Sequence, residues 1–161
     1  MHYRQLLPFL LSGFLLLSPS IFAAEKILRY TDHEPYGGMR TQIIKEIFFA
    51  EIEKESQGRL KIEPHWNGET AISYDALTTI SDGSKADMGI VVPEYTAKQL
   101  PLHQIFKSFA IGPDHGASQV EFFRRVYAEI PEFNAELERN NIVNLQFFPW
   151  LPGRLFLYQA H

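Results

Sequence analysis

The sequence predicts an α/β protein whose opening strands form a parallel sheet, and three observations carry that prediction. Short apolar runs alternate with amphipathic stretches over residues 26–95 in the order β-α-β-α-β, the pattern of parallel strands joined by right-handed crossovers. The run Met88 to Val92, MGIVV, has the length and β-branching of a strand buried on both faces. Pro93 then stops it. Proline donates no ladder hydrogen bond and is pre-set for the first turn of a helix, so Pro93-Glu94-Tyr95 is expected where strand gives way to helix. Ligands of open α/β sheets bind at the carboxyl ends of the strands, which makes Glu94 and Tyr95 candidate ligand contacts. The alternative for Glu94 is a first-turn carboxylate suited to the helix dipole.

The other elements follow in chain order. Lys26 to Thr31, KILRYT, reads as the first strand and leads into a polar loop, Asp32-His33-Glu34-Pro35-Tyr36, closed by Gly37-Gly38. Ile43, Ile44, Ile47, Phe48 and Ile52 fall at helical spacing, with Lys45, Glu46, Glu51, Glu53 and Lys54 on the other face and Gly58 as the terminating residue. RLKIEPHW alternates as a strand, and Pro64 within it argues an edge position. Asn67-Gly68 turns the chain into a second helix over Ile72 to Ile80, ended at Asp82-Gly83. After Tyr95 a brief helix ends before Pro101, and the stretch to Pro113 lacks periodicity and reads as buried irregular structure. Gly116 to Ile130 carries an apolar stripe of Val120, Phe123, Val126, Tyr127 and Ile130; Pro131 restarts a helix to Arg139. IVNLQFF and RLFLY are the last strand candidates, on either side of Pro149-Trp150-Leu151-Pro152-Gly153.

Residues 1–23 hold one cation near the start, an apolar run from Leu6 to Leu17 and small residues around Ala23-Ala24. That is the build of a cleaved secretory signal peptide, since the run is shorter than the roughly 20 apolar residues a membrane span needs. Export to the periplasm is the expected localisation. Removing this leader takes away Arg4 and leaves 14 basic against 19 acidic residues. With both signs interspersed and no basic stripe, nucleic acid is excluded as a partner. The chain has no cysteine, so stability rests on burial rather than disulfides.

Taken together, EIEKESQGRLKIEPHWNGE, ALTTISDGSKADMGIVVPEY, LPLHQIFKSFAIGP and NLQFFPWLPGRLFLY resemble, in order and spacing, the solute-binding subunit of tripartite ATP-independent periplasmic (TRAP) transporters, dicarboxylate-binding type. The likeness extends from Glu25 to His161. It implies a type II periplasmic binding-protein fold, two α/β lobes with a small organic acid between them, handed on to membrane subunits. Members of that family run about twice this length, and their carboxylate-gripping arginine in a Gly-x-Lys-x-Arg stretch has no counterpart before His161. Residues 24–161 are therefore expected to form the first lobe, with residues 145–161 leading toward a second lobe that is missing. On that reading the chain alone holds its ligand weakly, and its last apolar segments offer unpaired edges.

By the same resemblance Arg154 matches an arginine set against the ligand near the lobe crossing; its guanidinium suits a carboxylate bidentately. The alternative is an arginine on a solvated strand face. Trp66 and Trp150, each flanked by turn residues, are candidates for a pocket wall or for the core. Asp32, His33, Glu34 and Tyr36 belong to the same predicted rim as Glu94 and Tyr95.

Two rival functions come from other classes. A periplasmic metal-binding protein would need ligand spacings that His33, His65, His103, His115 and His161 lack, although His33, Glu34 and His65 could converge in space. A small secreted hydrolase would need a nucleophile motif, and neither Gly-x-Ser-x-Gly nor His-Glu-x-x-His occurs. The sequence therefore reads as a binding protein rather than an enzyme, with no cofactor motif. Intact-mass analysis of a periplasmic extract should give a mature chain beginning at Ala24 or Glu25, and a cytoplasmic species retaining Met1 would overturn the export reading.

Overall fold

The computed structural model describes residues 24–108, 116–147 and 155–159. The expected signal peptide, Trp150 and Arg154 lie outside them. Strands β1 (Lys26–Thr31), β2 (Leu60–His65), β3 (Met88–Val91), β4 (Ile142–Phe147) and β5 (Leu155–Gln159) form one sheet in the order β2-β1-β3-β5-β4. β1 pairs in parallel with both β2 and β3, as the alternation of elements predicts, and β2 lies at an edge as Pro64 predicts. β5 runs antiparallel to both of its neighbours, β3 and β4. The last strand is thus paired on both sides, and of the last apolar segments β4 is the one at the sheet edge.

The long first helix, α1, begins as regular helix over Met39–Ile43, continues as a π-helical segment over Ile44–Phe49 and returns to α-helix over Ala50–Glu55. The π segment corrects the predicted stripe. Ile44 and Phe49, five residues apart, are both buried against the sheet, whereas Ile47 is 58% exposed. A five-residue interval falls on one face only when each turn holds an extra residue, so the wider turn carries Ile47 outward. Gly58, at φ 75°, takes the left-handed conformation expected of a terminating glycine.

Helix α2 covers Ala76–Asp82, so Ile72 precedes it and is exposed rather than forming its first turn. Beyond β3, Pro93–Thr96 form a 3₁₀ turn with proline at its start, as predicted. The stretch expected to be irregular contains a second 3₁₀ turn, Leu102–Gln104, and the short helix α3, Ile105–Ser108. Helices α4 (Gly116–Glu129) and α5 (Glu132–Glu138) then lead to β4.

Side chains alternate across β3 and so divide the core in two. Met88 and Ile90 join Leu28, Tyr30, Ile44 and Phe49 in one cluster, while Val91 joins Leu77, Ile80, Phe123, Phe133 and Leu137 in the other. Both faces of the sheet are covered, which explains why β3 reads as an unbroken apolar run. Gly89 lies between the layers, and a Cβ built there would meet the Thr31 carbonyl oxygen at 2.5 Å. Only glycine admits that approach of β1 to β3.

Within the second cluster lies a buried polar chain. Glu136 accepts the backbone N–H groups of Leu102 (2.8 Å) and His103 (3.2 Å), fixing the start of the 3₁₀ turn, and meets His103 Nδ1 at 2.5 Å. His103 Nε2 in turn faces the Tyr127 hydroxyl at 2.5 Å. With an ionised Glu136 as acceptor, Nδ1 carries the imidazole proton and Nε2 accepts from Tyr127. Burial lowers the His103 pKa below its ordinary 6.5, against the opposing pull of Glu136. In the window just below 6.5 the unfolded chain therefore binds a proton that the folded chain refuses, and stability falls as pH drops. Urea denaturation between pH 7 and about 5 should show this slope, and His103→Gln should flatten it while lowering stability at neutral pH.

Candidate functional site

The loops that follow β1, β2 and β3 meet at the carboxyl end of the sheet, and the backbone of one residue, Asp32, helps tie the first two together. Asp32, 1% exposed, continues β1: its N–H donates to the His65 carbonyl (3.0 Å) and its carbonyl accepts from Gly68 N–H (2.9 Å). Asn67 N–H donates to the Glu34 carbonyl at 2.9 Å. The Asn67-Gly68 turn, with both residues at positive φ, is what folds the second loop back onto the first.

The Asp32 side chain accepts from the Tyr30 hydroxyl (2.5 Å), the Glu34 N–H (2.9 Å) and both terminal nitrogens of Arg40 (2.7 and 2.8 Å). Arg40 is itself buried, and its remaining contacts go to Glu34, at 3.0 Å from Nη2 and 3.3 Å from Nε. All three guanidinium nitrogens are engaged. Burial works against the Arg40 charge, but the hydrogen bonds and charge of Asp32 outweigh it and raise its pKa. Burial, reinforced by the Asp32 charge, also pushes Tyr30 well above its ordinary value, so its hydroxyl remains a donor.

His33 lies beside this cluster, 3.9 Å from an Asp32 oxygen and 3.8 Å from a Glu34 oxygen. Those separations are longer than hydrogen bonds. His65 turns instead toward Glu63 (3.1 Å) and Glu69 (3.7 Å). Among the described residues no group of three or more acidic or histidine side chains is arranged to hold a metal ion, and the possible convergence of His33, Glu34 and His65 does not form one.

Aromatic rings fill the rest of the rim. Trp66 packs edge-on against Tyr30 with centroids 5.2 Å apart, lies 5.6 Å from Tyr36 and reaches Phe49, so it belongs partly to the core and partly to the wall. Tyr36 donates to Glu46 at 2.7 Å and carries Lys45 over its ring at 4.6 Å. Tyr95, in the 3₁₀ turn after β3, meets Tyr74 from the loop after β2 at 4.7 Å between centroids. Glu94 is partly buried beside it. The structure therefore brings His33 and Glu34 together and pairs Tyr95 with a new partner. Trp150 and Arg154 lie outside the described residues.

A recess of about 600 Å³ runs elsewhere, along α4 between Ala117 and Ile130, and includes no rim residue. It follows one helix and is open to solvent. The chemistry-bearing groups are at the strand ends.

Sequence reasoning passes over Arg40 and Tyr74. A signal for Arg40 exists: a cation in a helix's first turn opposes the dipole, and this turn contains no acid, so a partner from outside the helix is required. Asp32, eight residues earlier across two glycines, is that partner. Tyr74 carries no such signal. Asp87, at the other end of β3, is held by Arg29 at 2.9 and 3.0 Å, which keeps its carboxyl below the usual range. Its role is to fasten β1 to the start of β3.

No family model and no curated protein matches the chain. Solved structures do. An aromatic-acid-specific TRAP solute-binding protein from an unidentified marine microbe, in complex with 3-hydroxybenzoate, superposes with a TM-score of 0.64 at 16% identity over 78% of this chain and 38% of its own. One from Desulfovibrio salexigens gives 0.62 at 16% identity, covering 75% and 36%. An extracytoplasmic solute receptor of Bordetella pertussis binding pyroglutamic acid gives 0.57 at 17% identity, covering 74% and 38%. The chain thus spans less than two-fifths of the length of these proteins. Its fold is that of part of a TRAP solute-binding protein, a type II periplasmic binding-protein fold.

Removing the Asp32 charge strands Arg40 in a buried site, so Asp32→Asn should cost about 3–5 kcal/mol of stability by urea denaturation. Glu34 is 39% exposed, and Glu34→Gln should cost about 1 kcal/mol or less once solvent screening is allowed for.

Proposed function

We propose that this chain is the first lobe of a periplasmic solute-binding subunit of a TRAP-type transporter, which captures a small carboxylate and presents it to membrane subunits. The observation that carries the proposal is the sheet order β2-β1-β3-β5-β4 with a polar and aromatic rim at its carboxyl end. The chain's fold superposes on part of solved receptors whose bound molecules include pyroglutamate, galacturonate and 3-hydroxybenzoate, all of them acids. Binding rather than turnover suits the rim, whose buried acid is neutralised by Arg40 and held by fixed donors instead of being poised for proton transfer.

Arg154 is the proposed carboxylate partner, on the resemblance of the LPGRLFLY stretch. Glu34, His33, Trp66, Glu94, Tyr95 and Trp150 are the proposed lining. The export reading belongs to the same proposal, since a receptor of this kind meets its ligand outside the cytoplasmic membrane.

The test is thermal denaturation of the full natural gene product against a panel of carboxylates and their uncharged amides. A carboxylate should raise the melting temperature and its amide should not. Arg154→Ala should weaken binding of that carboxylate by about 2–5 kcal/mol in calorimetry, the scale for a charge deprived of its partner. A protein stabilised by no member of the panel would overturn the proposal, and an unchanged dissociation constant would return Arg154 to a solvated face.

A further inference from the structure

Two tyrosines stand out on the rim because each keeps much of its ring in water while touching the other. Tyr74 is 63% exposed and Tyr95 42%, although each is in contact with the other at 4.7 Å and a tilt of 44°. They come from segments that follow β2 and β3, the two strands on either side of β1. Their contact therefore bridges the carboxyl end of β1. A ring can turn only one face or edge to its partner, so the pair keeps apolar ring surface in water at the place where an α/β sheet receives its ligand.

The charges around the pair fix which end of a ligand it could hold. Asp32 and Glu34 follow β1, and Glu94 adjoins Tyr95 in sequence. Arg40 already gives all three nitrogens to Asp32 and Glu34. Among the described residues Arg40 therefore has no nitrogen left for a ligand carboxylate, and the residue next to Tyr95, Glu94, is an acid. An uncharged planar ring needs no such partner, and it matches the tyrosine faces in shape and in the offset or edge-on geometry that aromatic groups favour.

We infer that Tyr74 and Tyr95 form a stacking platform that selects a carboxylate bearing a planar ring, with the ring seated on the pair. This rests on the carboxylate-receptor reading above and deepens it by naming the ligand class. The two residues act as specificity determinants, since stacking discriminates between ligands that share the same charged group.

Benzoate and cyclohexanecarboxylate separate the two readings, because they share the carboxylate and differ in the planarity of the ring. With the full natural chain, calorimetry should give benzoate about three- to tenfold the affinity of cyclohexanecarboxylate, the scale of one favourable ring pairing. Tyr74→Leu and Tyr95→Leu should each remove most of that preference, Tyr74→Phe should retain it, and the ring protons of bound benzoate should shift upfield in NMR spectra of the wild type and Tyr74→Phe but much less in the leucine variants. Both side chains are exposed, so these variants fold. Equal affinity for the two acids, or an unchanged ratio in the leucine variants, would overturn the platform while leaving the receptor function intact. Binding of succinate without binding of benzoate would do the same. Failure of every carboxylate to bind would overturn the receptor reading and the platform with it.

Discussion

The buried Asp32 carboxylate is the constraint on which the carboxyl end of the sheet depends. It sits where β1 leaves the sheet, and the Tyr30 hydroxyl, the Glu34 N–H and the Arg40 guanidinium all converge on it. Each bond fixes a different part of the rim. Tyr30 links it to the core beneath, Glu34 curls the first loop, and Arg40 draws in the start of α1. A charge this deep is tolerated only because it is paired and saturated with donors. Positioning of the loops and neutralisation of the buried acid are therefore one requirement, met by the same bonds.

This arrangement also accounts for the chemical character of the rim. The Arg40 guanidinium is consumed internally, so among the described residues the strand ends present ring faces and acidic groups rather than a free guanidinium. Trp66 contributes more to the core than to that surface, through Tyr30 and Phe49.

Much of the fold is legible in the sequence because its signals are local. KILRYT predicts β1 residue for residue, Pro93 marks the end of β3, and Gly58 and Gly83 adopt the left-handed turns that their places after helices require. What escapes depends on tertiary context. The π segment in α1 arises because Ile44 and Phe49 both find room against the sheet, which no window of α-helical periodicity anticipates. Ile72 lies in a turn because α2 begins only at Ala76. At the site, His33, Glu34 and Tyr95 follow from the rule that strand ends carry function, whereas Arg40 and Tyr74 matter through partners contributed by other segments. The rim's position is thus written locally, and its internal pairing is not.

The place of β5 has a consequence for how the molecule is assembled. β4 reaches the rest of the sheet only through β5, and β5 pairs with β3 across the whole intervening helical region. While the chain is being made, β1, β2 and β3 can associate as soon as they exist, but β4 has nowhere to dock until the strand after it arrives. Non-local pairing of this kind slows folding, because the chain must be closed over a long interval before any contact rewards the closure. Until then the edge of β3 that β5 occupies stays open, and an unpaired strand edge of this kind is adhesive.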